Sequence, residues 1–420
     1  MYFINGIDEL TQDNVLRIIS LYNMNILPQL EKYETYYKGE QTEQVAVNYC
    51  YNIVQNYSGY LTGIPISLTA NEDISDILEI LRYNDYHRED NELLTNALIY
   101  GIAYELHYLD EYAQQRFTTL DSKECIPIYS NDMERNLLAV VRIYSANDIY
   151  DDTKKFADIY TSTSIAHYEY RYGSLKLLSE EPHYYGQVPV VVFELNKDRA
   201  SVFKQVMSLQ DTYNELLNAN VNDYSAFVDA YMVIKGMVAD EETLETAKKQ
   251  RALMLPDDDA DVSYLTKPDN SSGIKDLLDR IEERIERIAQ APDFSEDAFG
   301  TSSGIAIRFK LLGLENACAN IEANMREALQ KRLQLICAIQ RLTATEFVWR
   351  DINIVFTRNL PINELEQAQL ANQLRGLVSD KTLLSLFSFV PDVDKEMEQL
   401  EEQNKLIENY DFSLGDDVSE

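Results

Sequence analysis

Residues 291–300 read APDFSEDAFG, and after Thr301 the chain continues as SSGIAIRFKLLGLENACANIEANMREALQKRLQLICAIQR at 302–341. The second stretch is about forty residues of nearly uninterrupted helical pattern, with apolar residues recurring every three or four positions. At about 1.5 Å of rise per residue, such a helix would be roughly 60 Å long, longer than a small domain is wide. We therefore expect a spine shared by several layers or subunits. Its apolar stripe comprises Ile305, Phe309, Leu312, Cys318, Ile321, Met325, Leu329, Leu333, Ile336 and Cys337.

Two glycines, Gly304 and Gly313, lie near the start of this helix, where a helix interior normally excludes them. This end of the helix can therefore bend more easily than the rest. Together with the acidic loop at 291–300, the glycines suggest a hinge beside a moving part. A long core helix preceded by an ordinary loop fits the same residues equally well.

Charge is the outlying property of the composition. The chain of 420 residues, long enough for two or three modules, has 71 acidic and 37 basic residues, a net charge of −34. A surface this acidic repels phosphate, which argues against wrapping of DNA by a basic face. One small basic cluster is followed closely by an acidic run: Lys248, Lys249 and Arg251, then Asp257, Asp258, Asp259 and Asp261.

The spacing of the cysteines and the length of the apolar runs indicate the cellular environment of the protein. Cys50, Cys125, Cys318 and Cys337 lie far apart without CxxC spacing, which argues against a disulfide framework and a structural zinc site. The first fifteen residues have no signal-peptide pattern, and no stretch approaches eighteen apolar residues. We expect a soluble protein that assembles in a reducing intracellular environment.

In the first half of the chain, the spacing of the apolar residues changes from helical to alternating near residue 102. Residues 74–101 have the pattern of two helices, whereas residues 103–193 alternate with period two between turn residues. This arrangement predicts an α+β region with an antiparallel sheet. The strand candidates are AYELHYL (103–109), QRFTTL (115–120), LLAVVRIY (137–144), ADIYTSTSIAHYEYRY (157–172) and VPVVVFEL (188–195).

The second half is mainly helical. Two helices, one after Asn196 and one at 274–289, bracket an insert at 223–270 in which two strands flank a short helix. The later helix has acid-before-base pairs at i,i+4, Asp276 with Arg280 and Glu283 with Arg287. Beyond the long helix we predict a strand in EFVWRDINIVF (346–356), helices in 364–377 and 394–407, and a disordered acidic tail.

Motifs of several enzyme classes are missing. The sequence has no GxxxxGK[ST] phosphate loop, no HExxH helix and no GxGxxG turn. Its four histidines stand singly, which is more typical of structural than of catalytic residues. Carboxylates are so numerous that pairs suited to metal binding occur by chance; the DDDAD run at 257–261 is either a solvated turn or a metal site. The 29 tyrosines suit either subunit contacts or a tyrosine-rich core.

The order of the segments resembles the portal (head-to-tail connector) proteins of tailed double-stranded DNA bacteriophages, in the subfamily common in siphophages of Gram-positive hosts. The resemblance covers most of the chain and lies in the succession of blocks, since no single block is diagnostic. The blocks are YYKGEQ (36–41), NYCYNIVQNYSGYLTGIPISL (48–68), LIYGIAYELHYLDE (98–111), VPVVVFELN (188–196), NDYSAFVDAYMVIKG (222–236), APDFSEDAFGTSSGIAIRFKLLGLE (291–315) and DINIVFTRNLPINELEQAQ (351–369).

The resemblance implies a portal-type α+β fold with an α/β wing, a two-helix stem, a small α/β clip, a long kinked wing helix and a short helical crown. The chain is short for the family, which implies a reduced crown. The implied boundaries are the wing at 1–197, stem helix 1 at 198–222, the clip at 223–270, stem helix 2 at 271–290, the tunnel loop at 291–302, the long wing helix at 303–342, a wing strand at 343–360, and the crown with its acidic tail at 361–420.

The resemblance also implies a function. Such proteins form rings, usually of twelve subunits, at one vertex of the virion capsid, after assembly in the host cytoplasm. Double-stranded DNA passes through the ring during packaging and ejection. The implied partners are other copies of the chain, the terminase large subunit, a head–tail adaptor protein, and the major capsid and scaffolding proteins. We expect no enzymatic activity, no catalytic or metal-binding residue, no cofactor and no membrane partner.

Two groups of residues receive roles from the resemblance. The tunnel loop would line the narrowest part of the DNA channel, where acidic side chains repel phosphate and keep contact weak; packing between subunits is the alternative role. The clip would dock terminase and adaptor in turn. The residues are Asp293, Phe294, Ser295, Glu296, Asp297, Phe299 and Gly300 in the loop, Gly304 and Gly313 at the hinge, and Lys248, Lys249, Arg251, Asp257, Asp258 and Asp259 in the clip.

Two competing functions remain at this point. A metal-dependent phage nuclease or nucleotide-processing enzyme would use one of the Asp/Glu clusters, such as residues 257–261. A capsid scaffolding protein would be mostly coiled coil, which the strand pattern between Ala103 and Phe193 argues against.

Overall fold

The structure is a computed structural model, and it describes residues 1–40, 45–145, 154–228, 231–235, 245, 261–265, 271–292, 304–341, 349–359, 369, 371–384, 393, 396–397 and 399–400. The chain divides into two compact units, Met1–Asn359 and Leu360–Glu420. Helices and strands are mixed in the first unit, which confirms the α+β prediction.

The first unit begins with helices that the local sequence starts and stops clearly. Thr11 caps the first helix by accepting a hydrogen bond from the Asn14 amide, and Asn48 caps the third in the same way through the Tyr51 amide. The two helices predicted at 74–101 are confirmed. The helices are α1 (Gln12–Asn25), α2 (Leu27–Lys38), α3 (Tyr49–Thr62), α4 (Ser75–Tyr83) and α5 (Tyr86–Tyr100).

Gly101 connects α5 to the first long strand at a crowded point. Its φ is +79°, in the left-handed region that favours glycine. A Cβ on this residue would lie 2.3 Å from the carbonyl carbon and oxygen of Arg199. The helix end, the following strand and the 199–200 backbone can therefore meet only around a glycine.

The strands confirm the predicted alternation between residues 103 and 193. They are β1 (Tyr2–Ile4), β2 (Ser67–Thr69), β3 (Ile102–Leu109), β4 (Gln115–Leu120), β5 (Cys125–Ser130), β6 (Leu137–Ser145), β7 (Lys155–Tyr160), β8 (Ser164–Arg171), β9 (Ser174–Pro182), β10 (Val190–Glu194), β11 (Tyr231–Lys235), β12 (Asp261–Leu265) and β13 (Asn353–Val355).

Two sheets carry most of these strands. A six-stranded sheet has the order β1-β5-β6-β7-β8-β9 and is antiparallel except where β1 pairs parallel to β5, with Tyr2 opposite Ile128. A three-stranded antiparallel sheet has the order β10-β3-β4, with Val192 opposite Tyr104. A buried apolar cluster that includes Tyr104, Val140 and Val190 joins the two sheets. Two smaller pairs, β11 with β12 and β13 with β2, are antiparallel.

Three strands of the large sheet, β1, β5 and β9, were not predicted, and a predicted strand outside this sheet is shorter than expected. Strand β5 contains Pro127, which lowers the strand signal, but β1 pairs only with the residues after it, so its missing N–H leaves no broken bond on that side. Strand β9 lacks clear alternation. The prediction of a strand over 346–356 was wrong in extent: Trp349–Asp351 is a 3₁₀ turn, and the strand is limited to Asn353–Val355.

The helices of the second half are α6 (Met207–Val228), α7 (Ser271–Ala289) and α8 (Gly304–Gln340). Helix α6 begins at Met207 and not at residue 198, because Arg199 has a φ of +47° and the Ser201 hydroxyl and Val202 amide both bond to the Leu98 carbonyl. Strands β11 and β12 agree with the two strands expected in the insert. The long helix confirms its prediction closely, with 37 residues in one continuous element.

The second unit has fewer described residues. Its helix α9 (Asp380–Leu384) is capped by Ser379, whose hydroxyl accepts a hydrogen bond from the Thr382 amide, and Leu383 is buried. The described residues at 369 and 371–374, and those between 393 and 400, are helical, in agreement with the two helical segments expected there, but the prediction of helix over 375–377 was wrong, because a turn closed by a bridge between Arg375 and Val378 follows Leu374.

Candidate functional site

The long helix α8 joins three separate parts of the first unit. It contacts α3, strand β10 and the 3₁₀ turn Trp349–Asp351. Most of its predicted apolar stripe is buried, from Cys318 to Cys337. Two residues of the stripe are exceptions, because Phe309 is 73% exposed and Leu312 is 52% exposed. Leu311 and Leu314 are buried in their place, so the first turns of the helix present an apolar face to the outside.

A buried ionic network fixes the middle of α8 to the three-stranded sheet. The Arg332 guanidinium donates from Nε and Nη2 to the two carboxylate oxygens of Glu105 on β3, at 2.9 and 2.5 Å, and from Nη1 to Asp90 on α5 at 2.5 Å. The His107 Nε2 lies 3.0 Å from the same Glu105 carboxylate. The guanidinium also lies 4.6 Å from the centre of the Phe117 ring. All four ionisable side chains of the network are at most 3% exposed.

Charge compensation in this network is asymmetric, with one arginine facing two carboxylates. Burial opposes ionisation of Glu105, but Arg332 and His107 outweigh it and lower the pKa of Glu105 to about 2. Burial raises the pKa of Asp90 despite the neighbouring Arg332. Burial lowers the pKa of His107, even though Glu105 acts in the opposite direction. Glu105 is therefore the firmly charged partner of Arg332.

A second ionic cluster holds the end of the first unit against α8. The Arg358 guanidinium bonds to Glu315 through Nε at 2.9 Å and Nη2 at 2.9 Å, and Nη2 also lies 2.7 Å from Glu322. The Tyr60 hydroxyl of α3 donates to Glu315 at 2.7 Å, and the Asn359 amide donates to the Tyr60 carbonyl at 3.2 Å. This cluster, which we call the Arg358 clamp, joins α3, α8 and the segment leading to the second unit.

Helices α6 and α7, which the sequence predicted as the stem, pack against each other, and the end of α7 is fixed to α3. Tyr57, fully buried, donates its hydroxyl to the Ala289 carbonyl at 2.8 Å. The inner face of α7 is formed by Ile281, Ile285 and Ala289. The Gln290 side chain lies close enough to α8 that a Cβ on Gly313 would be 3.6 Å from the Gln290 Cβ.

These contacts attach the residues just before the predicted tunnel loop to α3 and bring Gln290 close to Gly313 of α8. Ala291 is buried and its amide donates to the Glu286 carbonyl at 3.2 Å, while α8 starts at Gly304. Gly304 is the first residue of α8 and Gly313 lies inside it. The hinge role of both glycines stays a prediction.

The outer face of α7 has charged and apolar residues together. The predicted i,i+4 pairs are confirmed: Arg280 bonds to Asp276 at 3.0 Å, and Arg287 bonds to Glu283. Leu277 and Ile288, two members of the predicted stripe, are each 44% exposed. The stripe of α7 is thus only partly covered within one chain.

Most of the residues that the sequence nominated for the site lie outside the described residues. These are Asp293, Phe294, Ser295, Glu296, Asp297, Phe299 and Gly300 of the tunnel loop, and Lys248, Lys249, Arg251, Asp257, Asp258 and Asp259 of the clip. The short helix expected in the insert also falls there, except for Glu245, which is helical.

Sequence reasoning missed both ionic clusters. Charged residues usually face solvent, whether in a helical pattern like that around Arg332 or in a connecting segment like that of Arg358, so neither arginine gave a signal of its own. A weak signal was present in the strand at 103–109, where Glu105 and His107 share one face of a strand that is buried on both sides. Two polar residues on the same face of a buried strand require partners; in this structure they bond to each other, and Glu105 also bonds to Arg332 of α8.

His167, His183 and the cysteines have structural surroundings. His167 Nδ1 lies 2.8 Å from Asp158 on the neighbouring strand, and His183 Nε2 lies 2.8 Å from the Thr161 carbonyl. The four cysteines are free and buried, and burial raises the thiol pKa of Cys50 to about 12 and of Cys337 to about 11. Within the described ranges, no three His, Cys, Asp or Glu side chains are grouped so as to hold a metal ion, and no helix is both long and apolar enough to cross a bilayer.

Comparison with known proteins identifies the class. The family model "Phage portal protein, SPP1 Gp6-like" matches residues 17–409. The portal protein of Bacillus phage SPP1 is 24% identical over 390 residues, covering 87% of this chain and 76% of the relative. The portal protein of Clostridium phage phiCD119 is 23% identical over 392 residues, covering 86% and 85%.

Two solved structures are also similar. A chain of "Neck of empty GTA particle computed with C6 symmetry" aligns with a TM-score of 0.45 and 12% identity, over 80% of this chain and 87% of that one. A chain of "Neck of native GTA particle computed with C12 symmetry" aligns with a TM-score of 0.42 and 12% identity, over 88% and 92%.

These findings define a structural component of a phage virion. The chain belongs to the SPP1 Gp6-like family of phage portal proteins. Its role is that of the portal vertex, and the findings do not support the nuclease alternative raised by the carboxylate clusters.

Proposed function

We propose that this portal protein forms a closed ring of identical subunits, with the number twelve as the expectation, around a channel for double-stranded DNA. The ring passes the genome during packaging and ejection without performing chemistry on it. The net charge of −34 supports this role, because a negatively charged lining repels phosphate and avoids the counterion release that drives tight DNA binding.

The observation that carries the ring proposal is a set of large apolar side chains left exposed on α7 and on the first turns of α8. Phe309 and Leu312 on α8, and Leu277 and Ile288 on α7, are exposed within one chain. Phe309 and Leu312 are three residues apart on one helix and therefore neighbours on its surface, and exposed apolar neighbours of this kind mark a contact with another protein. A head-to-tail contact between identical subunits covers such a face and closes into a ring.

The channel role belongs to residues 291–302 in this proposal. The attachment of the flank before the loop supports it, because Tyr57 bonds to the Ala289 carbonyl and the Ala291 amide bonds to the Glu286 carbonyl. A segment fixed at its start can project into a channel without detaching from the wall. Asp293, Glu296 and Asp297 would repel phosphate, while Gly300, Gly304 and Gly313 would let each loop shift as DNA moves.

The remaining partners follow the same reasoning. We place the docking of the terminase large subunit, and afterwards of the head–tail adaptor, in the clip at residues 223–270, with the major capsid and scaffolding proteins around the wing. Assembly would occur in the host cytoplasm. The surface that docks two partners in turn would include Lys248, Lys249, Arg251, Asp257, Asp258 and Asp259, whose mixed charges suit exchangeable contacts.

Native mass spectrometry and negative-stain electron microscopy of the purified protein test the ring. We expect closed rings with a central opening wide enough for a DNA duplex, formed without DNA or nucleotide. Because the subunits share a high negative charge, ring formation should improve from low to moderate salt. Monomers at every salt concentration, or particles with a solid centre, would contradict the proposal.

A matched pair of variants assigns the contact. Leu312→Lys should abolish ring formation, whereas Leu178→Lys, on strand β9 with 51% exposure against 52% for Leu312, should leave rings intact. Both changes place a charge at an exposed position. Circular dichroism should show that both variants fold like the parent protein, so that a difference in ring formation reports on the contact at Leu312. Hydrolysis of ATP by the purified protein, or magnesium-dependent cleavage of plasmid DNA, would contradict the absence of enzymatic activity.

A further inference from the structure

An open groove of about 520 Å³ lies where strand β10, helix α8 and the large sheet meet. Val190, Val192 and Glu194 line it along β10. Tyr129 of the large sheet and Trp349, the only tryptophan of the chain, also line it. The volume is within the range of about 300–1,000 Å³ that is typical of ligand pockets. None of these residues belongs to the exposed apolar set on α7 and α8 to which we assign the ring contact.

The outer edge of β10 has main-chain groups without a partner among the described residues. The His107 amide donates to the Pro189 carbonyl at 2.8 Å, and the Leu195 amide donates to the Gly101 carbonyl at 3.0 Å. Because bonded pairs alternate along an antiparallel ladder, every second residue of β10 bonds to β3, and the residues in between direct their amides and carbonyls away from it. No described residue bonds to those outward groups. The residues in between are Val190, Val192 and Glu194.

The other edges of the six-stranded and three-stranded sheets are protected against pairing, as edges of native sheets usually are. Strand β1 is only three residues long. The Asn84 side chain covers the edge of β4, because it bonds to the Phe117 amide at 3.0 Å and to the Gln115 carbonyl at 2.9 Å. Strand β9 has a bulge at Leu178. Strand β10 has no bulge in its register with β3, so its edge is left open to an added strand.

The groove is closed at the Val190 end and accessible further along the strand. Val190 is 0% exposed, whereas Val192 and Glu194 are partly exposed. The outward groups of these last two residues can therefore pair with an added strand, which must end or turn away beside Val190. Lys331 of α8 lies at the closed end, since its ammonium donates at 2.6 Å to the side chain of Gln187, three residues before Val190.

Lys331 is a half-buried cation without a carboxylate partner in the described part of the chain. Its ammonium donates to two neutral amides, at 2.6 Å to Gln187 and at 3.2 Å to Gln334. Glu327 lines the same groove one turn earlier on α8, but the two residues do not form an ion pair. Burial lowers the pKa of Lys331, and no carboxylate opposes this shift. One of the three ammonium hydrogens is left for an anionic group that enters the closed end.

We propose that the groove binds the C-terminal segment of a partner polypeptide, which adds to β10 as an antiparallel strand and places its terminal carboxylate at Lys331. The direction follows because β10 begins at Val190, where the added strand ends. The outward amides and carbonyls of Val192 and Glu194 pair with the main chain of this segment, in the strand-addition mode of peptide recognition. Its apolar side chains pack against the apolar walls, which include Trp349. The site does not depend on formation of the ring.

Tryptophan fluorescence measures the binding directly, because Trp349 lines the groove. The probe is the acetylated peptide Lys-Thr-Val-Thr-Val with a free C-terminal carboxylate, titrated into the full chain. We expect saturable binding of one peptide per chain. The same peptide with a C-terminal amide should bind about tenfold more weakly, because it cannot form the charged bond to Lys331. A version with one N-methyl group on each edge should not bind, since it cannot pair as a strand.

Variants of the protein test the two halves of the site separately. Lys331→Gln should weaken binding of the carboxylate peptide to the level of the amide peptide. Lys204→Gln, at an exposed lysine outside the groove, is the matched control and should bind like the parent protein. Val192→Pro removes an outward amide without removing a bond to β3, so it should fold like the parent by circular dichroism and lose binding.

Three results would overturn the proposal. Equal affinities for the carboxylate and amide peptides, or for the Lys331→Gln and parent proteins, would remove the carboxylate from the site. Binding of the N-methylated peptide would exclude an added strand. Peptide binding by monomers but not by rings would show that another copy of the chain covers the groove, against the assignment to a separate partner.

Discussion

The guanidinium of Arg332 lies across both carboxylate oxygens of Glu105, with nitrogen–oxygen distances of 2.9 and 2.5 Å, although the two residues are 227 positions apart in the chain. Both side chains are removed from water. The pair connects the middle of the long helix to the central strand of the three-stranded sheet. It therefore makes the position of α8 depend on a contact that neither element could form alone.

Removing Arg332 should cost far more than removing an exposed arginine. Arg332→Ala leaves Glu105 and Asp90 buried without their cation, which should lower the free energy of unfolding by about 3–5 kcal/mol. Arg280→Ala, which breaks an exposed pair on α7, should change it by less than about 1 kcal/mol. Urea denaturation of both variants checks the difference, and similar losses would show that the buried network is not the main attachment of α8.

The same network predicts a pH dependence. The lowered pKa of His107 means that the folded protein binds this proton less readily than the unfolded chain, whose histidine titrates near 6.5. The stability that His107 contributes is therefore complete above about pH 6.5 and is lost as the pH falls from there through the folded-state pKa. His107→Gln keeps an N–H group near Glu105 but cannot titrate.

We expect His107→Gln to lose less stability than the parent protein on acidification from about pH 7.5 to about pH 5. Urea denaturation at several pH values gives the comparison. The many surface carboxylates are common to both proteins, and Arg332 and Glu105 keep their charges throughout this range, so the difference isolates residue 107. Parallel stability curves would mean that His107 does not titrate differently in the folded state.

Arg358→Gln should weaken the clamp that joins α3, α8 and the segment before the second unit. It loses the two-nitrogen contact with Glu315 and the bond to Glu322. Because Glu315 is partly exposed, we expect a loss of about 1–2 kcal/mol and faster proteolysis near residue 360. Arg350→Gln, at an exposed arginine that stacks on Trp349, is the control and should stay within about 0.5 kcal/mol of the parent.

Two glycines with similar backbone angles should respond differently to alanine. Gly101 and Gly173 have φ values of +79° and +73°, so each alanine bears a cost of about 1–2 kcal/mol for the left-handed conformation. At Gly101 the new Cβ would also meet the Arg199 backbone at 2.3 Å, whereas at Gly173 nothing lies within 4 Å. Thermal denaturation should place Gly101→Ala well below Gly173→Ala, and equal melting temperatures would contradict the close approach.

Much of the fold follows from local pattern. The alternation at 103–109 and 137–144 predicted β3 and β6, and the helical period after Gly304 predicted α8 almost to the residue. Local pattern failed where the formation of a strand depends on a residue elsewhere in the chain. Strand β5 tolerates Pro127 because β1 leaves that position unpaired, and the neighbouring strand cannot be read from the sequence of β5.

The candidate site was less predictable than the fold. Helical period identifies Phe309 and Leu312 as apolar, but which surface covers them depends on neighbours far away in the chain or in another subunit. The ionic clusters depend on pairs such as Tyr60 with Glu315, separated by 255 positions. Local pattern contains no information on such pairs, whereas the succession of sequence blocks was enough to indicate the family.

The four buried thiols give the protein a set of built-in reporters. Cys50 lies in α3, Cys125 in β5, and Cys318 and Cys337 near opposite ends of the buried part of α8. Since an alkylating reagent reacts with an accessible thiolate, each cysteine becomes labelled only when its own surroundings open. Mass spectrometry of labelled peptides over time would then rank the helices and the sheet by how often each separates from its neighbours, with no engineered probe in the chain.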